Sequence, residues 1–236
     1  MTLSYNQPRF CLNTIWNSIA TSFADQSFLG TDPHGIFVNS NSSIYIPNRQ
    51  TGQIYIWLNE NHLNPTKTIE GNLSDPFSLF VTTNGDIYVD NGQYNGRVDK
   101  WIVENETWIS VMNVTSPCFG LFIDIYENLY CSMFYNHRVD KKWSNGTTTI
   151  VAGTGVRGSE SDMLTTPWGI FVDINLDLYV ADWGNDRKIQ LFRLNQRNGI
   201  TVACSGYGST NDKLSFPQTM SFDSYGNIYV TDCNNN

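Results

Sequence analysis

The chain is short of charge, and of positive charge above all. Only 15% of its 236 residues are charged, and 14 basic side chains stand against 22 acidic ones, for a formal net charge of −8. Binding to a nucleic-acid backbone depends on a surplus of Lys and Arg, so nucleic acid is disfavoured as a partner. No apolar run approaches the ~18 residues that span a bilayer, so no membrane span is predicted. Aromatic residues, at 14%, favour packed β-structure over disorder.

The chain has five cysteines but no C-x-x-C pair, which disfavours zinc ribbons and thioredoxin-type redox sites. Cys118 and Cys131 lie in one repeat unit and are the pair best placed to bridge. A simple hairpin register leaves them about four residues out of opposition, too far apart unless the strand carries a bulge. The sequence therefore leaves the bridged and the free states both open.

The sequence does not fix the compartment. Residues 1–18 lack a basic start followed by an apolar core, so no signal peptide is visible, and extracellular and cytoplasmic locations both stay open. Five N-x-[ST] sequons make a glycoprotein conceivable, but in a chain so rich in Asn, Ser and Thr about five arise by chance. The sequons begin at Asn41, Asn72, Asn105, Asn113 and Asn145.

One phrase recurs five times along the chain: a short apolar run, an Asn/Asp-rich turn, then a tyrosine between aliphatic residues. The clearest copy runs from Ile170-Phe171-Val172 to Leu178-Tyr179-Val180. The spacing of roughly 40 to 50 residues is typical of propeller and solenoid arrays. The repeated tyrosines are Tyr45, Tyr88, Tyr130, Tyr179 and Tyr229.

Each unit is predicted to form four short antiparallel strands, A to D, separated by Asn/Asp/Gly turns. Arranging such sheets radially as blades buries their faces and leaves only short outer edges, so the fold class is an all-β propeller. The fifth unit supplies only strands A and B. Residues 10–16 and 19–23 resemble strands C and D, so the two ends are expected to share the last of five blades. Six blades are expected if the chain is a piece of a longer protein.

The motif within a unit resembles the NHL repeat, in the pattern Pro-x-Gly-aliphatic-Phe-Val-Asp, turn, Leu-Tyr-Val-Ala-Asp, then Asn-x-Arg. The match is strongest over 166–173 together with Asp182, Asn185 and Arg187, and it makes residues 1–236 a single domain. Departures include Met133 in the Asp position of the third unit. The resemblance implies a β-propeller, most often of six blades. It also implies that Asp182 and Arg187 form a structural ion pair within the blade and have no catalytic role.

The positions that enter strand A are expected to line the central channel or its mouth. They vary between units, unlike the tyrosine position. Either they plug a narrow axis, or they form an aromatic mouth with one His and one Gln as polar anchors for a ligand. The candidate binding residues are His34, Phe77, Phe119, Trp168 and Gln218.

A catalytic alternative comes from the segment Asp32-Pro33-His34-Gly35. It resembles the segments that hold zinc in peptidylglycine amidating lyase, a related propeller. A catalytic zinc needs about three protein ligands, and only one of the five equivalent positions is His. His62 and His137 are predicted to lie elsewhere in their units.

Non-catalytic binding is the function that the sequence favours, in the form of a scaffold recognising a protein, peptide or small ligand at the channel mouth. No catalytic residue, metal ligand or cofactor is assigned. RNA binding, known for some NHL propellers, is a further alternative, and the acidic composition disfavours it.

Overall fold

The computed structural model describes residues 7, 19, 22–58, 64–184, 188–203 and 213–234. Nearly all of these residues belong to short antiparallel strands and the turns that join them. Among them, the four-residue helix α1 (Gln26–Leu29) precedes the first strand, and the four-residue helix α2 (Gly92–Asn95) lies between two strands. No helix within the described ranges is long and apolar enough to cross a membrane.

The strands form four sheets of four strands and one of two, each in sequential order. The first blade contains β1 (Phe37–Val38), β2 (Ile44–Pro47), β3 (Ile54–Trp57) and β4 (Lys67–Ile69). The second contains β5 (Leu79–Val81), β6 (Ile87–Asn91), β7 (Arg97–Ile102) and β8 (Thr107–Asn113). The third contains β9 (Cys118–Ile123), β10 (Leu129–Met133), β11 (Arg138–Lys142) and β12 (Thr148–Ala152). The fourth contains β13 (Pro167–Val172), β14 (Leu178–Asp182), β15 (Lys188–Phe192) and β16 (Ile200–Ala203), and the two-stranded sheet contains β17 (Pro217–Phe222) and β18 (Ile228–Asp232).

The propeller architecture and its four-stranded antiparallel sheets are therefore confirmed, whereas the expectation of five blades is wrong: the described residues form four blades and a strand pair. Residues 10–18 lie outside the described residues, so the strand C expected at 10–16 has no structural account. Of the strand expected at 19–23, residues 19, 22 and 23 are described and none is in a strand. Just after them Asp25 caps α1 by accepting the Ser27 N–H. The Phe23 ring packs on Trp57 of the first blade, at 5.5 Å between centroids. Residue 23 thus packs against the first blade, whereas Gln7 donates to the Asp223 carbonyl of the fifth unit.

A ladder of phenylalanine rings joins successive blades near the axis. Between centroids, Phe37 lies 5.1 Å from Phe80, Phe80 lies 5.0 Å from Phe122, and Phe122 lies 5.2 Å from Phe171. These four rings occupy the same strand A position in successive units. Phe222, one position further along its strand, stacks on Phe171 at 4.4 Å and extends the ladder to the strand pair. The repeated phenylalanine is thus the residue that packs one blade against the next.

The third blade contains a disulfide between Cys118 and Cys131, whose Cα atoms are 5.1 Å apart. Both cysteines are fully buried. The pairing of β9 with β10 shifts register between Ser132 and Met133. This bulge shortens the offset that a regular hairpin would leave, since Cys118 now lies opposite Met133, and the bridge that the sequence left open is formed.

Asx turns close the hairpins between strands A and B, as their sequences predict. The Asp124 carboxylate accepts the backbone N–H groups of Tyr126 and Asn128, at 2.9 and 3.0 Å. Equivalent bonds to the residue two positions further on are made by Asp173 and Asp223. These carboxylates therefore fix the backbone of the turns between strands A and B. The turns lie at the end of the blades opposite the start of strand A.

The ion pair expected between Asp182 and Arg187 is untested, because Arg187 lies outside the described residues. Asp182 itself is buried and accepts the N–H groups of Thr165 and Thr166, which ties the end of strand B to the segment entering strand A. In the second unit the corresponding arginine, Arg97, pairs with Asp99 on its own strand, at 2.9 Å. A structural role for the repeated Asp is consistent with these contacts.

Candidate functional site

Close backbone contact brings the variable strand A positions of adjacent units together. A Cβ atom added to Gly120 would lie 2.6 Å from the carbonyl oxygen of Trp168, and one added to Gly169 would lie 2.7 Å from that of Gln218. Only a residue without a side chain permits this approach. In the second unit Ser78 takes the glycine position, and its hydroxyl donates to the Cys118 carbonyl at 2.6 Å.

Four of the five candidate residues form one cluster of touching rings. Phe77 stacks on Phe119 at 4.1 Å between centroids, and the Phe119 ring meets Trp168 edge-on at 4.8 Å. His34 contacts Phe77 at 5.0 Å and stacks on Trp168 at 5.6 Å. Because His34 belongs to the first unit and Trp168 to the fourth, the units surround a common axis. Gln218 is partly buried, and its carbonyl lies against Gly169 in the neighbouring unit.

The cluster combines the two arrangements that the sequence allowed. Phe77 and Phe119 are buried, with 6% and 8% of their surface exposed, so they fill the axis as a plug. His34 and Trp168 are only partly buried and form the edge of this plug toward solvent. The mouth is therefore a shallow aromatic surface over a filled axis.

Further aromatic residues extend this surface across the third, fourth and fifth units. Phe134 stacks on Phe119 at 4.3 Å, Trp183 lies 5.8 Å from Trp168, and Phe216 lies 4.7 Å from Trp183. All three of these rings are partly exposed. We call the whole set the aromatic surface, and it consists of His34, Phe77, Phe119, Phe134, Trp168, Trp183 and Phe216.

Three residues of this surface were not predicted from the sequence, although a signal for the first two was present: Phe134, Trp183 and Phe216. Each of those two directly follows the last residue of strand B. Strand B runs antiparallel to strand A, and in the fourth unit Pro167 pairs with Asp182. The residue after strand B must therefore lie beside the residue entering strand A. Each unit therefore has two variable positions at the mouth, the residue that enters strand A and the residue that follows strand B. The predicted site included only the first of them.

Charged groups occupy one side of the aromatic surface, in the first unit and at the entry to the second. The Arg49 guanidinium lies over the Phe77 ring, 4.2 Å from its centroid. It also donates to Asp32 at 2.5 Å and to Asp75 at 2.6 Å. Although burial acts against it, the bonds to these two carboxylates raise the pKa of Arg49. The ring contact and the two ion pairs therefore hold the Arg49 guanidinium in place against Phe77.

His34 sits between this charged group and the rings. Its Nε2 lies 3.2 Å from an Asp32 carboxylate oxygen, while its buried Nδ1 has no hydrogen-bond partner within the described structure. Burial lowers the pKa of His34, the Arg49 charge lowers it further, and Asp32 and Asp75 oppose the shift. His34 is therefore neutral at pH 7.

Acidification should destabilise the fold through His34. Because the pKa is lower in the folded chain, the unfolded chain takes up the proton first. Above the ordinary pKa of 6.5, His34 is neutral in both states and its titration does not lower the stability of the fold. As pH falls below 6.5, the free energy of unfolding decreases. Between pH 7 and 5.5 we expect a His34→Phe variant to lose less stability than the wild type. The difference should stay below about 1.4 kcal/mol per pH unit in urea unfolding. Equal pH profiles would contradict the shift.

The histidines do not assemble a zinc site in the described part of the chain. His34 is the single histidine of the aromatic surface, and the ring of His137 contacts the Thr165 carbonyl. His62 lies outside the described residues. No group of three or more His, Cys, Asp or Glu side chains suited to a metal ion occurs among the residues described. These residues do not fit the three-ligand set that lyase chemistry on zinc needs.

No family model matches the chain, and no curated protein matches it. The NHL repeat therefore stays a resemblance of motifs. Solved structures do match. A streptogramin B lyase superposes with a TM-score of 0.64 at 13% identity, over 86% of this chain and 63% of the lyase. An auxiliary nutrient binding protein from Bacteroides ovatus superposes with a TM-score of 0.68 at 16% identity, over 86% of this chain and 57% of that one.

A third match is a catalytically inactive virginiamycin B lyase from Staphylococcus aureus with quinupristin. Its TM-score is 0.60 at 12% identity, over 88% of this chain and 72% of the lyase. At such identities the likeness shows a shared fold. The chain spans less than two thirds of the streptogramin B lyase and of the nutrient binding protein. These similarities place the chain among β-propeller proteins.

Proposed function

We propose that the chain is a non-catalytic binding propeller whose ligand docks on the aromatic surface. The observation that carries the proposal is the continuous set of rings from His34 to Phe216, which gathers variable residues of different units at one mouth. Partly exposed aromatic rings offer large apolar contact area at low entropic cost, as binding hot spots do. The nutrient binding neighbour supports a binding role for this fold.

A peptide or protein segment is the ligand class that we favour. The surface is open and has a filled axis below it, so it suits a ligand that lies across it. The paired Arg49 and Asp32 at one side supply polar groups that orient the ligand, and the uncharged rings supply the contact area. The acidic chain makes nucleic acid the weaker partner.

Removing the Trp183 side chain should weaken binding at least about tenfold, the range of a hot-spot residue. The probe is a peptide selected from a displayed random library against the wild-type chain, with affinity measured by calorimetry. Tyr126→Ala serves as the matched control, because Tyr126 is 62% exposed on a turn at the opposite end of the strands. The control should keep wild-type affinity. Selected peptides that bind Trp183→Ala as tightly as the wild type would contradict the proposal.

A lyase role is the alternative, and the streptogramin B lyase neighbours support it. It is tested by incubating the protein with quinupristin and a divalent metal, and following the compound by mass spectrometry. Consumption that stops when a chelator is added would replace the binding proposal with a metal-dependent lyase. We expect the compound to persist unchanged.

A further inference from the structure

The five sequons differ in their structure, although all five asparagines are exposed. In two of them the threonine hydroxyl bonds to the asparagine carboxamide. Thr107 Oγ1 donates to Asn105 Oδ1 at 2.6 Å, and Thr147 Oγ1 donates to Asn145 Oδ1 at 2.7 Å. Each bond spans only two residues, so the turn can form in the nascent chain before the blade packs. Both acceptor turns are therefore available early and remain exposed after folding.

The other three sequons lack this arrangement. In the sequon at Asn41 the hydroxyl-bearing residue Ser43 is buried. In the sequon at Asn113, which ends β8, Thr115 Oγ1 lies 3.5 Å from the Asn136 carboxamide oxygen. In the sequon at Asn72, the asparagine's carbonyl and the Ser74 N–H are both bonded to Asn91.

The two exposed turns connect strands C and D, and they lie away from the aromatic surface. Val103, two residues before Asn105, donates its N–H to Asp86 at 3.0 Å, and Ser144, directly before Asn145, donates its N–H to Asn128 at 2.9 Å. Asp86 and Asn128 belong to turns between strands A and B. That is the end opposite the start of strand A. A glycan on either turn would therefore leave the aromatic surface open.

The Cys118–Cys131 bridge is a second, independent observation. Both cysteines are fully buried, so the closed disulfide is part of the core of the third blade. Disulfides of this kind form and persist in oxidising compartments and are rare in reducing ones. In eukaryotic cells the compartment that closes disulfides is also the one that attaches N-linked glycans.

We propose that the chain folds in an oxidising secretory compartment and carries N-linked glycans on Asn105 and Asn145. In the transfer, the asparagine Nδ2 forms a bond to C1 of the sugar of a polyprenyl-pyrophosphate-linked oligosaccharide. The bond between that C1 and the pyrophosphate oxygen breaks, and the lipid pyrophosphate leaves. The Nδ2 proton passes to a base of the transferase. The chain supplies the acceptor amide and the turn that presents it.

The test compares the full chain secreted from a eukaryotic host with the same chain kept in that host's cytosol. Glycans are removed enzymatically, which converts each occupied asparagine to aspartate, and the sites are mapped by mass spectrometry. The secreted chain should carry two glycans. Asn105→Gln and Asn145→Gln should each remove one, and Thr107→Ala should remove the same glycan as Asn105→Gln. Asn113→Gln, the matched control, should remove none. Unmodified Asn105 and Asn145, or glycans confined to Asn41, Asn72 and Asn113, would overturn the glycan assignment.

Folding in an oxidising compartment is tested separately, through the disulfide. A disulfide that closes a loop of this size is worth about 6 to 12 °C of Tm in a chain of this length, so reductant should lower the Tm of the secreted wild type by that amount. Reductant should not move the Tm of a secreted Cys118→Ala/Cys131→Ala variant. Peptide maps of the secreted protein should show the bridge, and those of the cytosolic protein should show free thiols. Free thiols at both positions in the secreted chain would overturn the proposal that the chain folds in an oxidising compartment.

Discussion

Replacing Phe122 by alanine should lower the free energy of unfolding by about 3 to 5 kcal/mol, the usual cost of removing a buried phenylalanine. Phe122 is 5% exposed and contacts Phe80 on one side and Phe171 on the other. The cavity therefore opens between three blades at once. At ~2 to 4 °C of Tm per kcal/mol, the expected shift is large and measurable by scanning calorimetry or urea unfolding.

Two further variants sharpen this experiment. Phe122→Leu keeps most of the apolar volume and should cost clearly less than the alanine variant. Tyr126→Ala removes an exposed ring from the adjoining turn of the same blade and should stay within about 0.5 kcal/mol of the wild type. If Phe122→Ala cost no more than Tyr126→Ala, the ring ladder would not be the interface between blades.

Replacing Lys141 by methionine should destabilise the chain by about 3 to 5 kcal/mol, because it leaves a buried charge without its partner. The side chains of Lys141 and Asp124 are 2% and 1% exposed, and the ammonium lies 3.2 Å from the carboxylate. The ammonium also lies over the Trp143 ring, 3.8 Å from its centroid. Burial lowers the pKa of Lys141, and Asp124 opposes that shift. Urea unfolding at pH 7 is the measurement.

The repeat supplies a matched control for this variant. In the second unit Lys100 occupies the same strand position and pairs with Asp86 at 2.8 Å, but its side chain is 21% exposed. Water screens that pair, so Lys100→Met should cost clearly less. The double variant Lys141→Met/Asp124→Asn should be more stable than Lys141→Met alone, because it leaves no uncompensated charge. Equal costs for Lys141→Met and Lys100→Met would contradict the buried-pair account.

The sequence predicts the blades well because their physics is local and repetitive. Alternation of apolar and polar residues defines each strand, and Asx turns such as that of Asp124 define the hairpins. It predicts the centre of the mouth for the same reason, since His34, Phe77, Phe119 and Trp168 share one repeat position. All four meet in the structure.

Other features depend on contacts that the repeat pattern does not contain. The blade count was wrong because the described part of 19–23 forms no strand, and Phe23 packs on Trp57 of the first blade. The sequence left both the bridged and the free state of Cys118 and Cys131 possible, because the bulge at Ser132 is a register shift without a sequence signature. Trp183 was missed because its place beside strand A follows from the antiparallel pairing of strands A and B, and the prediction considered only the position that enters strand A.

A ligand that docks on the aromatic surface must shield the backbone beneath it from solvent. Hydrogen exchange of the chain with and without the selected peptide tests it most directly. We expect slower exchange at the amides of His34 and Gly35, of 118–120, and of Trp168 and Gly169, which enter strand A, and at Trp183, with no change at the turn 124–128. Protection confined to 124–128 and the other turns at that end of the strands would contradict it.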